Sequence, residues 1–230
     1  MPEGLGAWQL VVSGDPALFS IVRLSLAVSL CAVALAALVG LPLGGLLALA
    51  RFPGRGALIV LVNAFMGLPP VVVGLAVYLL LSRSGPLGAY GLLFTPTAMV
   101  IAQAILITPI IAALTRQTVE DLWLEYRDEM NAMGVAPVAR LATLLYDARV
   151  ALVTALLAGF GRAAAEVGAV MIVGGNIDGF TRTMTTAIAL ETSKGDLPLA
   201  MGLGFVLLAI VLAVNASAWG LRAFAQRRIG

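Results

Sequence analysis

The segment Glu125–Arg149, EYRDEMNAMGVAPVARLATLLYDAR, is the longest polar stretch in a chain that is 61% hydrophobic. Apolar runs flank it on both sides, so its reading decides whether the chain is a buried soluble core or a series of membrane spans. Trp123 to Met133 holds no Gly or Pro and is rich in acids and long side chains. This predicts a helix extending the preceding apolar run. Gly134 permits a sharp turn, because glycine enters φ > 0 cheaply. Pro137 suits the first turn of a new helix. Val138, Leu141, Leu144 and Leu145 then recur at helical spacing and predict one apolar stripe. The segment reads either as a solvated connecting loop or as an arm that docks a partner. Helical patterning around a Gly-x-x-Pro break favours the arm.

Outward from this segment, the composition sets the class. Only 11% of the 230 residues are charged, against roughly 25% in a soluble domain, and the mean hydropathy is +1.04. Runs exceeding the ~20 apolar residues of a bilayer crossing recur. The ~10-residue alternation of a membrane barrel does not. The expected fold is an all-α polytopic membrane protein with one permease-like domain over 1–230. Its five spans are near 24–50, 56–82, 92–115, 150–173 and 197–221, and the polar segment occupies 120–149. Residues 1–20 carry no Lys or Arg. The positive region of a secretory signal is lacking, so the first span is expected to be retained.

The positive-inside rule orients the chain. With the C-terminus cytoplasmic and the N-terminus outside, the inner segments hold Arg51, Arg55, Arg116, Arg127, Arg140, Arg149, Arg222, Arg227 and Arg228. The outer ones hold Arg23, Arg83, Arg182 and Lys194. The polar segment then faces the cytoplasm. Trp8, Trp123 and Trp219 read as interfacial anchors. The net charge of +2 is not clustered, so nucleic acid is not an expected partner; membrane lipid is. Histidine is absent and Cys31 is the only cysteine. That argues against an intramembrane enzyme and against a metal site. No G-x-x-x-x-G-K-[ST] occurs, so any ATP is hydrolysed on another chain.

Three features inside the apolar regions invite function. Pro69-Pro70 predicts a kink or break in the second span, either for packing or to line a polar path. Arg162 and Glu166 interrupt the fourth span at i, i+4. A charge there costs at least ~2.5–3.5 kcal/mol, and the spacing allows a pair. One reading is an ion pair that fixes helix packing. The other sets Arg162 beside an anion path with Glu166 holding it. Asn176 to Asp196 is rich in threonine and reads as an outer loop, either simply solvated or offering neutral donors to an anion.

Asp128-Glu129-Met130-x-x-x-Gly134, between the third and fourth spans, resembles the signature loop of ABC importer permeases. That loop reads Glu-Ala-Ala, three residues, Gly, then a later Ile-x-Leu-Pro. Gly134 matches. Asp128 replaces Glu, Glu129 and Met130 replace the alanines, and Ala136 stands where a capping Ser is common. Tyr146-Asp147-Ala148-Arg149 occupies the place of the Leu-Pro. Gly161-Arg162-Ala163-Ala164-Ala165-Glu166-Val167-Gly168-Ala169, followed by Gly175-Asn176-Ile177 and the threonines, is similar to the molybdate, sulfate and tungstate permeases. The five-span length and the Asp-Ala-Arg most resemble the tungstate members. The resemblance implies a type I importer permease whose cytoplasmic coupling helix lies between the third and fourth spans. It implies ATPase contact by Asp128, Glu129, Met130, Gly134, Pro137, Val138 and Leu141. It also implies a homodimer, two ATP-binding subunits that keep the ATP and Mg, and an external binding protein. For that last contact Asp178, Arg182 and Lys194 on the outer loop are candidates, and Asn176 of the same loop is a candidate neutral donor to the anion. No cofactor is expected on this chain. An ion-driven carrier working through Arg162 and Glu166 is the rival of another class, but the matching halves typical of such carriers are not evident.

Overall fold

The computed structural model describes residues 16–229. Among the described residues every regular element is helical: α1 (Pro16–Leu49), α2 (Arg55–Phe65), α3 (Pro70–Leu81), a 3-10 turn (Gly88–Tyr90), α4 (Pro96–Ala132), α5 (Pro137–Asp147), α6 (Arg149–Ala164), α7 (Gly168–Gly174), α8 (Met184–Lys194) and α9 (Leu197–Ile229).

The frame is the pair α1 and α4. The ring of Pro42 does not stop α1, nor does that of Pro109 stop α4. Gly40 lies on Ile111, and Gly44 lies on Ala112 and Thr115, so the two helices run parallel. A Cβ at Gly44 would sit 2.4 Å from the Ala112 carbonyl oxygen. Small residues therefore set how closely these helices approach, as between membrane helices generally. At 37 residues α4 is about 55 Å long, far more than the ~30 Å hydrocarbon layer. Thr95 starts it by accepting the Ala98 N–H, with Pro96 in the first turn.

Three helices, Leu18–Leu49, Pro96–Ala132 and Leu197–Ser217, are long and apolar enough to cross a membrane unbroken, and the count reaches five if each bent helix pair is one crossing. The chain is thus an all-α, multi-pass membrane protein. Two of the expected spans are not straight. The second breaks at Pro69-Pro70 into α2 and α3, bent by 102°, because neither proline offers an N–H and each restricts the residue before it. The fourth was expected as one helix over 150–173. Instead α6 stops at Ala164 and α7 starts at Gly168. At 16 residues α6 rises only about 24 Å. At its other end α6 meets α5 at 74°.

The threonine-rich segment Asn176 to Asp196, expected as a loop, is the second correction. Met184 to Lys194 is a helix, and Thr181, Thr183 and Thr186 are buried. Its N-terminus packs into the bundle: Met184, Ala187 and Leu203 form one cluster with Ile21 of α1. The threonine spacing reads as solvated loop until Thr183 and Thr186 are seen to exchange side-chain and backbone hydrogen bonds as a capping box. Trp8 and the Trp219 side chain lie outside the described residues.

Candidate functional site

The arm at one end of the bundle begins where α4 stops. The Val135 N–H reaches back to the Met130 carbonyl at 3.0 Å, and the Gly134 N–H to that of Asn131 at 3.1 Å. Gly134 has φ +65°. This is a Schellman ending, and only a residue at ease with left-handed backbone suits its centre. Met130 and Val135, the two side chains such an ending brings together, share one apolar cluster with Ala48, Val119 and Leu144.

The turn is held from outside as well. Arg140 Nε donates to the Val135 carbonyl at 2.7 Å, while its guanidinium lies 5.4 Å from the Trp123 ring centre. Trp123 is therefore part of the arm's mounting, half-buried, and packs with the same apolar cluster. Ala136 begins α5 without a side-chain cap, and Pro137 occupies the first turn. Leu144 is 0% exposed, and Leu141 and Leu145 lie on Gly45 of α1. The expected stripe is thus three residues wide. Val138 departs from it and is 81% exposed. Met130 also departs from its expected place, being 7% exposed and packed within its own bundle. Asp128, Glu129, Gly134 and Pro137 face outward. The sequence reading missed Leu124, Met133 and Tyr146, large apolar side chains exposed on the same polar segment.

Behind the arm, Arg55 and Arg116 both pair with the Glu120 carboxylate. Arg55 also donates through Nε to the Leu47 carbonyl at 2.7 Å, which closes the C-terminus of α1 with a cation. These groups tie α1, α2 and α4 together where the arm is mounted. In the sequence the two arginines registered only as positive charge and Glu120 as the start of the polar segment.

Away from the arm, the break between α6 and α7 forms a polar layer with Ser25 of α1 and Gln103 of α4. Arg162 Nη1 donates to Glu166 Oε2 at 2.6 Å, and the Ala169 N–H donates to Glu166 Oε1 at 3.0 Å. Glu166 is 3% exposed. Two carbonyls at the break also accept side-chain donors. Gln103 Nε2 donates to that of Ala163 at 3.1 Å, and Thr185 Oγ1 to that of Glu166 at 2.8 Å. Irregular backbone survives at membrane depth only when protein groups satisfy it in this way. Ser25 Oγ accepts the Met184 N–H at 2.8 Å. A cavity of about 20 Å³ remains between Ser25, Ser29, Gln103, Thr183 and Thr185. It has room for one water, and it is lined by Gln103, whose buried Oε1 has no partner among the described residues.

At the end opposite the arm, Asp178 pairs with Arg182 at 2.9 Å and Lys194 with Glu191 at 2.9 Å. Asn176 follows Gly175 in left-handed backbone with φ +50°. These residues do not meet the Arg162–Glu166 pair.

Known proteins supply the remaining observation. No family model matches the chain. It is 46% identical over 204 residues to a probable anion ABC transporter permease protein of Haloferax volcanii, covering 86% of this chain and 88% of the relative. The chain belongs to the ABC transporter permeases. The tungstate uptake system permease protein TupB of Peptoclostridium acidaminophilum is 41% identical over 216 residues, with 94% and 95% covered. The sulfate transport system permease protein CysT of Salmonella typhimurium is more distant, 25% identical over 229 residues, with 96% and 82% covered. Permeases of this kind cross the membrane several times and are not themselves enzymes.

Proposed function

We propose that this permease is the transmembrane subunit of an ATP-driven importer of tungstate. The observation that carries the ATP-driven part is the arm. A Schellman turn at Gly134 is clamped by Arg140 and Trp123, and α5 is seated on α1 by Leu141 and Leu144. The mounted arm presents Asp128, Glu129, Met133, Val138 and Tyr146 outward. A solvated connector has no need of such a mounting, and exposed apolar side chains on a polar segment mark a docking surface.

In this reading the arm lies in the cytoplasm, with the N-terminus outside and the C-terminus inside. Two copies pair around the path, and each arm sits on a separate ATP-binding subunit that keeps the ATP and Mg. ATP binding draws the two subunits together. Each arm passes that movement to α4, which is unbroken from Pro96 to Ala132, and the spans rock between inward-open and outward-open. ATP drives the cycle only to the extent that it favours one of these states. A binding protein delivers the oxyanion from outside. Tungstate comes first because the 41% relative is named for its uptake. Molybdate and sulfate share its tetrahedral dianionic shape, and a sulfate permease matches at 25%.

The test is reconstitution of the permease in liposomes with its ATP-binding subunits and binding protein. ATP-dependent uptake should be strongest with tungstate. Uptake that proceeds without the ATP-binding subunits would make the protein a carrier instead.

A further inference from the structure

Two arginines at the end of the bundle opposite the arm line one cavity. Arg23 of α1 and Arg182, just before α8, border a space of about 320 Å³ with Ser20, Leu24, Gly179 and Phe180. Arg23 is exposed and has no hydrogen bond or ion pair among the described residues. Arg182 is 17% exposed, and its Nε is buried without an acceptor. Asp178 answers only its Nη1 and is itself 78% exposed, so it lies toward solvent.

The three charges sum to +1; one buried donor, Arg182 Nε, has no acceptor, and neither do the exposed donors of Arg23 among the described residues. A buried N–H without an acceptor is uncommon and costly. What the cavity lacks is a negatively charged group made only of acceptors. Guanidinium forks suit such a group, because their parallel N–H donors match the oxygen spacing of an oxyanion. Leu24 and Phe180 supply the apolar part of its wall. The positive-inside bias disfavours arginine at this end, yet two of the few present are brought to one place from distant parts of the chain.

We propose that Arg23 and Arg182 form an outer site for a tetrahedral oxyanion, occupied before the ion enters the transport path. The proposal rests on the importer reading above and extends it to particular residues. Asp178 holds Arg182 while the site is empty and competes with the arriving anion. A phospholipid headgroup shares the phosphate chemistry, so the test separates the two sources.

Tungstate binding to the permease is measured by calorimetry, in lipid-free detergent and in phosphatidylglycerol nanodiscs. ATP-dependent tungstate uptake is measured on the full complex in liposomes. Arg23→Gln is the principal variant, because that side chain is exposed and has no ion pair among the described residues. Arg23→Gln and Arg182→Gln should each weaken binding roughly tenfold or more and reduce uptake at low tungstate. Asp178→Asn should tighten binding, a gain that a purely structural role for the pair would not produce. The site is overturned if the wild-type complex imports tungstate while Arg23→Gln binds and imports it unchanged. It is equally overturned if Asp178→Asn binds no tighter, or if phosphatidylglycerol abolishes tungstate binding. A wild-type complex that imports no oxyanion overturns the importer reading instead, whatever the arginines bind.

Discussion

Arg162 and Glu166 meet at 2.6 Å at the break between α6 and α7, not along one helix. Arg162 stands in the last turn of α6, where a cation complements the helix dipole. Glu166 accepts an N–H from the first turn of α7, where an anion does. Both carboxylate oxygens are engaged, so the pair joins two half-helices as a splice. An ion-driven carrier needs a carboxylate that exchanges partners during the cycle, and nothing in this geometry provides one.

Removing either side of the splice should therefore act first on stability. Arg162→Met leaves the buried carboxylate with only the Ala169 N–H, an expected loss of about 3 kcal/mol. Glu166→Gln keeps an acceptor for Ala169 and should lose less. Thermal unfolding in detergent should rank wild type above Glu166→Gln above Arg162→Met. The reverse order would mean that the pair is not what holds α6 to α7.

Gly134 of the arm and Gly44 of α1 should respond differently to alanine. Nothing lies within 4 Å of a Cβ at Gly134, but its φ of +65° strains any L side chain, by roughly 1–2 kcal/mol. Gly134→Ala should insert and assemble normally while uncoupling ATP hydrolysis from uptake. Gly44→Ala meets the backbone of α4 at 2.4 Å and should fail to give a stable protein. Uptake per ATP hydrolysed, with yield after solubilisation, distinguishes the two effects.

Opposite faces of α5 should fail in opposite ways. Leu144→Ala empties a fully buried site, at about 2–5 kcal/mol, and should loosen the arm so that proteolysis near Gly134 accelerates. Val138→Glu alters a side chain that touches little of its own bundle. It should leave the melting temperature unchanged while weakening co-purification of the ATP-binding subunit. Normal co-purification of Val138→Glu would remove α5 from the docking surface.

The carbonyl freed at Glu166 should be sensitive to its hydroxyl partner. Thr185→Val keeps the shape of the side chain and deletes the donor to that carbonyl, an expected cost of about 1–3 kcal/mol. Thr185→Ser restores the donor and should recover most of the stability. Equal melting temperatures for the Val and Ser variants would show that the bond contributes nothing.

Much of this was legible in the chain itself. Apolar runs of bilayer length have few other solutions, so the membrane class follows from composition. A glycine followed by a proline three residues on, between helical patterns, leaves few alternatives to a turn, so the hinge at Gly134 was readable too. Periodicity also placed Leu141, Leu144 and Leu145 on one face. It misassigned Val138, because the contact with α1 begins only at Leu141 and the first turn of α5 stays exposed.

What the sequence could not decide were the features made by contact between distant segments. Threonine near a membrane reads as solvated until the carbonyl it satisfies is known, and that of Glu166 becomes available only because the helix breaks beside it. Met130 reads as part of a docking motif until Ala48 and Leu144 close over it. Arg23 and Arg182 read as two unrelated charges. Hydropathy and spacing are local properties and determine which segments are helical and which are apolar. Which polar group answers which depends on three-dimensional packing, and that is where the splice and the two-arginine cavity are decided.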